Sequence, residues 1–207
     1  MWARTGTPLL LLAGAASVLL IALLLLVREL WLIPLLVLAL FLLGLFLIFF
    51  RDPERAPGQG IVAAADGRVL SVTPEDGGRR VRIATFMNVT NVHVNRVPIS
   101  GYLVRVEDRG GPKRPAFSPE ASGNSQKRYL FGTPLGLVEV VQITGMVARR
   151  CVAWKGSGSP CRKGERLGMI VFGSRVDVVL PADRVRPTVT VGQPVRAGRD
   201  TLAEVRA

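Results

Sequence analysis

The chain changes its hydrophobic pattern once, near residue 50. Before that point residues 8–27 run without a charge, and after Arg28-Glu29 a second apolar run covers residues 30–50, interrupted only by Pro34. Each run is long enough to cross a bilayer as a helix. Together they predict a membrane anchor over residues 1–50, two apolar helices in a tight transmembrane hairpin that turns at Arg28-Glu29. A cleavable signal peptide is the competing reading, because Arg4 precedes the small residues Ala13-Gly14-Ala15-Ala16. The apolar run continues well past them, which argues against cleavage. Arg4, Arg51 and Arg55 flank the outer ends of the hairpin, so the positive-inside tendency puts both ends in the cytoplasm; Arg28 in the loop is a counterweight. A shallow re-entrant hairpin in one leaflet is the alternative.

Beyond residue 50 the pattern becomes short strand-like runs broken by Gly and Pro: residues 67–72, 80–86, 101–106, 136–144 and 176–180. The alternation in Val81-Arg82-Ile83-Ala84 and Leu137-Val138-Glu139-Val140-Val141 fits strands with one face inward, and no long amphipathic helix is visible. The reading is a mainly β domain over residues 51–207, a compact barrel or sandwich. Residues 109–128 are rich in Gly, Pro, Ser and Lys without apolar periodicity, and predict an exposed loop that is either a solvated connector or a flap beside a ligand site. Near the C-terminus Val189-Thr190-Val191-Gly192-Gln193-Pro194-Val195-Arg196-Ala197-Gly198, followed by Thr201-Leu202-Ala203, resembles the hairpin of lipoyl-like barrel-sandwich domains, without the lysine that such carriers modify.

Charge narrows the classes of partner. The chain carries a formal net charge of +12, and residues 1–50 contribute only Arg4, Arg28 and Glu29 to it. A basic domain tethered beside a membrane is drawn to anionic headgroups. Nucleic acid is disfavoured, because the arginines are spread over many segments and no recognition motif appears. Cys151 and Cys161, nine residues apart, lack the spacing of a metal or redox pair and read as reduced thiols. One histidine and no clustered ligands do not make a catalytic zinc site, so no metal is expected. A small β domain with an open sheet edge can also pair with a second copy of itself.

Candidate chemistry lies late in the chain, where Gly173-Ser174 sits between the apolar runs Met169-Ile170-Val171-Phe172 and Val176-Asp177-Val178. A Gly-Ser bond in a strained turn is open to attack by its own serine hydroxyl, since glycine has no Cβ to block approach and tolerates unusual backbone angles. Such an attack needs a base, and the one imidazole is His93. Taken alone, a histidine in an apolar segment can equally be structural, and Asp66-Gly67 reads as a turn.

Six separated motifs change that balance: Phe50-Arg51-Asp52-Pro53-Glu54-Arg55, Ala65-Asp66-Gly67-Arg68-Val69, Val92-His93-Val94-Asn95-Arg96, Gly145-Met146-Val147-Ala148-Arg149-Arg150, Gly164-Glu165-Arg166-Leu167-Gly168 and Phe172-Gly173-Ser174-Arg175. In this order they resemble the phosphatidylserine decarboxylases of the short, single-histidine branch, from about Phe50 to the C-terminus. The resemblance implies a proenzyme that cuts itself between Gly173 and Ser174, leaving fragments 1–173 and 174–207 associated and residue 174 converted into a covalent pyruvoyl group, with no external cofactor. It nominates Ser174 as nucleophile and later Schiff-base site, His93 as base or proton donor, and Asp66 as the group that orients or assists the base. Longer members carry a second histidine, assigned to self-cleavage, where this chain has Arg96. Arg149, Arg150, Arg175 and Asn124 become candidates for the lipid headgroup, since guanidinium suits phosphate and carboxylate, and Phe86, Met87 and Phe172 candidates for apolar walls. The implied substrate is phosphatidylserine in an anionic cell membrane, with the catalytic domain facing the cytoplasm. Decarboxylation of an archaeal ether lipid with the same headgroup (archaetidylserine) is a variant, and a non-enzymatic, membrane-anchored lipoyl-like adaptor is the reading from another class.

Overall fold

The computed structural model describes residues 1–112, 114–146, 150–171 and 174–206. They fall into two compact units, Met1–Pro53 and Glu54–Ala207. In the first unit, α1 (Thr7–Val27) and α2 (Leu32–Phe49) are apolar around their whole circumference, with side chains such as Leu11, Leu26 and Phe41 exposed. A helix apolar on all sides has no polar face to offer water, as expected of a membrane span. Pro8 and Pro34 both fall in first turns, where the missing N–H has no intrahelical partner to lose. Arg28 ends α1 in a left-handed conformation (φ 59°) and its N–H caps the Leu24 carbonyl at 3.0 Å. The Ala3 N–H donates to the Phe50 carbonyl (2.7 Å) and the Asp52 N–H to that of Met1 (2.8 Å), so the start of α1 and the end of α2 lie side by side.

The second unit is built of strands: β1 (Ile61–Val62), β2 (Gly67–Glu75), β3 (Arg80–Met87), β4 (Val94–Arg96), β5 (Gly101–Arg109), β6 (Gln126–Thr133), β7 (Gly136–Thr144), β8 (Arg150–Ala153), β9 (Pro160–Cys161), β10 (Arg166–Val171), β11 (Ser174–Pro181), β12 (Val185–Pro187), β13 (Pro194–Val195) and β14 (Thr201–Val205). Eight form one sheet in the order β13-β2-β3-β11-β7-β6-β5-β9, and two three-stranded sheets, β4-β10-β8 and β1-β14-β12, complete the unit. The mainly β expectation holds, as do all five strand-like segments read from the sequence. The C-terminal segment divides between sheets, β13 pairing with β2 and β14 with β1 and β12.

Alternation along β11 explains the layering. Val176, Val178 and Leu180 join Met87, Ile83, Tyr129, Phe131, Val138 and Val140 in the core, together with Leu167 and Ile170 of β10. Arg175 and Asp177 take the intervening positions and so point to the opposite face. The loop expected over residues 109–128 ends earlier, because Gln126, Lys127 and Arg128 already belong to β6. Charges on both faces of that strand end hide its period: Lys127 pairs with Asp108 and Arg128 with Glu139 across the neighbouring strands.

Two glycines are fixed by close approach. A Cβ on Gly67 (φ +155°) would overlap the Phe86 carbonyl, and one on Gly168 would overlap the carbonyl of Val152. On the outer face, the fully buried Asp177 accepts from Arg175 Nε (2.6 Å) and Nη2 (2.9 Å) and from Arg82 Nη1 (2.8 Å). Burial works against the charge of Arg82, but hydrogen bonds and attraction from Glu75 and Asp177 outweigh it and hold the guanidinium above its usual pKa. Removing the shared carboxylate leaves the buried Arg175 guanidinium without its ion pair and Arg82 with Glu75 alone. Asp177→Asn is therefore expected to cost about 3–5 kcal/mol, read as a fall in the unfolding midpoint of the detergent-solubilised full chain.

Candidate active site

Ser174 is the first residue of β11, and three residues earlier Val171 ends β10 in a different sheet. Between Val171 and Ser174 the chain passes from the small β4-β10-β8 sheet into the large one. Ser174 itself is fixed on both sides, opposite Met87 of β3 and Thr144 of β7, and is fully buried. Its hydroxyl donates to the Met87 thioether at 3.4 Å. Sulfur is a weak acceptor, so this contact orients the hydroxyl without the strength of an O–H···O bond.

The segment around His93 packs against β10, the strand that precedes Ser174 in the chain. Val94 pairs with Met169, and the His93 carbonyl accepts from the Ile170 N–H at 3.4 Å. The His93 ring is fully buried, with Nδ1 2.9 Å from the Asn91 carbonyl. A carbonyl can only accept, so the neutral ring carries its proton on Nδ1 and presents a lone pair at Nε2, the form a base requires. Asp66 is committed elsewhere: Arg55 grips both its oxygens (2.5 and 2.8 Å), and the Ala197 N–H donates to one of them at 2.8 Å. Arg96 is buried, its Nη1 donating to the Gly164 carbonyl at 2.9 Å, while its backbone N–H bonds the Ala64 carbonyl.

The headgroup and wall candidates separate by face. Met87 touches Ser174, whereas Phe86, the next residue along the strand, turns outward and meets Phe117 edge-on at 6.1 Å. Arg175 likewise faces away from Ser174, onto Asp177, and lines an outer cleft of about 660 Å³ with Arg82, Arg109 and Arg128. Arg150 opens β8 opposite Val171 and lines a second cleft, of about 530 Å³, with Lys127, Thr144 and Cys151. Asn124 is fully buried and pins the long loop to the end of β7, its Nδ2 donating to the carbonyls of Arg114 and Thr144, both at 2.7 Å. Arg149, Phe172 and Gly173 lie outside the described residues.

A family model for phosphatidylserine decarboxylase matches residues 42–203. The chain belongs to that family. A phosphatidylserine decarboxylase proenzyme of Thermobifida fusca is 50% identical over 155 residues, covering 74% of this chain and 70% of the relative. One from Oleidesulfovibrio alaskensis is 46% identical over 165 residues, 75% of each. A Halobacterium salinarum relative, provisionally named an archaetidylserine decarboxylase proenzyme, is 46% identical over 165 residues, 78% of this chain and 82% of its own. The family motifs scattered along the sequence converge in space: Arg55 of the first holds Asp66 of the second, Glu54 of the first takes Arg166 of the fifth at 2.6 Å, and Arg96 of the third holds Gly164 of the fifth.

Several neighbours of Ser174 carry no sequence signal of their own. Asn95, Tyr129 and Gln142 are fully buried and lie in strands around it, and Lys127 reaches the Arg150 cleft. Period-2 alternation through Lys127, Tyr129 and Phe131 is the clue that could have placed the two on β6. Cys151 lies in the same cleft, and burial pushes its thiol up to about 12, with the Lys127 ammonium opposing only in part. Its folded pKa is raised, so it contributes stability that is complete below about pH 9, the ordinary thiol value, and is lost as pH rises towards 12. Burial raises Cys161 as well. Both free thiols should resist alkylation in the folded chain near pH 8 and react at once on denaturation, which a titration with iodoacetamide reads directly.

Proposed function

We propose that the chain is a membrane-anchored proenzyme that matures by cutting itself at Gly173-Ser174 and then decarboxylates phosphatidylserine to phosphatidylethanolamine and carbon dioxide. The observation that carries this reading is the position of Ser174: buried, held by two ladders, at the passage between two sheets. A nucleophile fixed beside its own peptide bond gains the advantage of proximity without needing a partner molecule. In the acyl shift the Ser174 Oγ bonds to the Gly173 carbonyl carbon, the C–N bond to Ser174 breaks, and the hydroxyl proton passes to the departing nitrogen. His93, with its Nε2 lone pair, is the base that carries that proton.

Elimination then releases the Gly173 carboxylate, and water displaces ammonia to leave a pyruvoyl group at position 174. The space round Ser174 suits it, because a methyl ketone replaces the hydroxymethyl group with little change of volume against the Met87 thioether. When formed, the group supplies an electron sink for the carbanion left as carbon dioxide departs. The chain's own residues do the rest. Arg150 and Lys127 in the open cleft offer cations to the headgroup phosphate and carboxylate. His93 returns a proton at the substrate's former α-carbon. Asp66 acts at one remove, tying Arg55 to the turn at Ala197. Arg149, next to Arg150 in sequence, remains a candidate for the headgroup, and Phe172, which precedes the cut bond, a candidate for the wall.

Two apolar helices with arginines at their paired ends support an anchor whose ends both face the cytoplasm, bringing a basic domain to anionic lipid. The Halobacterium relative keeps the ether-lipid variant in view; the serine headgroup is common to both, and feeding each lipid to the purified protein separates them. Intact-mass analysis of the full chain beside Ser174→Ala tests the reading. The expected result is wild-type fragments 1–173 and 174–207, the second lighter by one ammonia than hydrolysis gives, and an unbroken variant. An unbroken wild type moves the chain to the adaptor class. His93→Asn should slow fragment formation by about 10²–10⁴-fold, followed by the same mass measurement over time.

A further inference from the structure

Behind Ser174 runs a line of buried polar groups that the proposed chemistry does not use. The Tyr129 hydroxyl donates to Gln142 Oε1 at 3.0 Å, Gln142 Nε2 donates to Asn95 Oδ1 at 2.7 Å, and Asn95 Nδ2 approaches the Met87 sulfur at 3.7 Å. The Ser174 hydroxyl meets that same sulfur at 3.4 Å. All five side chains are fully buried. Three strands of the large sheet and one of the small sheet supply them besides Ser174: Tyr129 from β6, Gln142 from β7, Met87 from β3 and Asn95 from β4.

Direction is the informative property of this line. A carboxamide can turn over and exchange its donor end for its acceptor end, so two amides in series have no fixed polarity by themselves. Tyr129 biases the choice, because a phenol is a better donor than acceptor and here it donates to Gln142. Its hydroxyl sits at the head of the line, and burial pushes the phenol well above its ordinary pKa, so it stays protonated and available as a donor throughout the physiological range. With Gln142 Oε1 receiving that proton, Gln142 must offer Nε2 to Asn95, and Asn95 must turn its NH2 towards Met87. A buried amide donor that ends on a thioether is using a weak acceptor where an oxygen would serve better. That choice leaves the sulfur polarised and fixed, able to take the Ser174 proton lightly while the serine oxygen keeps its lone pairs for attack.

We propose that Tyr129, Gln142 and Asn95 form a one-way positioning relay that acts through Met87 to hold the Ser174 hydroxyl in the orientation self-cleavage requires. The inference rests on the self-cleavage reading. None of the three touches the reacting bond, so they are positioning residues and their effect belongs in the rate of maturation. Gly168 belongs to the same design: a Cβ there would stand 3.0 Å from the Tyr129 hydroxyl and 3.3 Å from Gln142 Nε2, so glycine leaves the relay its room.

The test follows fragment formation by intact mass in freshly translated, detergent-solubilised full chain, with thermal unfolding as the check on folding. Tyr129→Phe keeps the ring and removes only the directing proton, and Met87→Leu keeps the volume and removes the acceptor. Each is expected to slow self-cleavage on the order of 10- to 100-fold, the effect of a mis-set nucleophile. Gln142→Glu adds a readout that a merely structural role would not move. Its neutral carboxyl can still donate to Asn95 and its ionised form cannot, so its cleavage rate should fall relative to wild type as pH rises. Folded Tyr129→Phe and Met87→Leu chains that cleave within about twofold of wild type, with a Gln142→Glu profile parallel to wild type, overturn the relay while leaving the function intact. A wild-type chain that never cleaves overturns the function and the relay with it.

Discussion

Strand β11 is paired on both sides, to β3 from Met87 to Arg80 and to β7 from Thr144 to Glu139, and this double ladder fixes Ser174 at the point where the chain arrives from β10 of another sheet. A residue at the head of a doubly paired strand has little conformational freedom left to lose, so its side chain can be aimed by packing alone. The rest of the site is arranged around that fixed point. β4 and the residue before it bring Asn95 and His93 against β10, and β6 and β7 carry Tyr129 and Gln142. The loop that follows β5 is fastened by Asn124 to Thr144, the cross-strand partner of Ser174.

The same pairing divides the charge of a basic protein between two environments. Because side chains alternate along a strand, Ser174 and Arg175 must face opposite ways, and the outer face that receives Arg175 is a lattice of matched charges: Asp177 with Arg82 and Arg175, Glu139 with Arg128, Glu75 with Arg82. Those arginines neutralise carboxylates, of which Asp177 and Glu139 are buried. Lys127, paired with Asp108, and Arg150 instead line a solvent-open cleft that also includes Thr144, the cross-strand partner of Ser174. The alternation of one strand thus decides which face carries the matched charges and which carries Ser174.

Asp66 illustrates how a motif can mark architecture and chemistry together. Its carboxylate joins Arg55, at the start of the domain, to the backbone of Ala197 near its end, and Gly67 beside it lets β2 begin against the Phe86 carbonyl. Both features hold β2 and β3 in place, and β3 carries Met87. The contribution of Asp66 to Ser174 therefore runs through the position of a strand as well as through any proton it helps to move.

By itself the sequence determined the two apolar helices, the mainly β character of the remainder, five strand segments of which two alternate clearly, and the identity of Ser174 and His93 as candidates. These are local properties, set by hydrophobic period and by the scarcity of a residue type. Only the tertiary structure decided that Arg175 and Phe86 face away from Ser174, that Lys127 lies in a strand, and that Tyr129, Gln142 and Asn95 join hands behind it. Those facts depend on register between strands far apart in the chain, Ser174 with Met87 and Thr144, Met169 with Val94, Tyr129 with Val140. A shift of one residue in any of these pairings would turn every side chain to the other face, and no short-range pattern in the sequence fixes it.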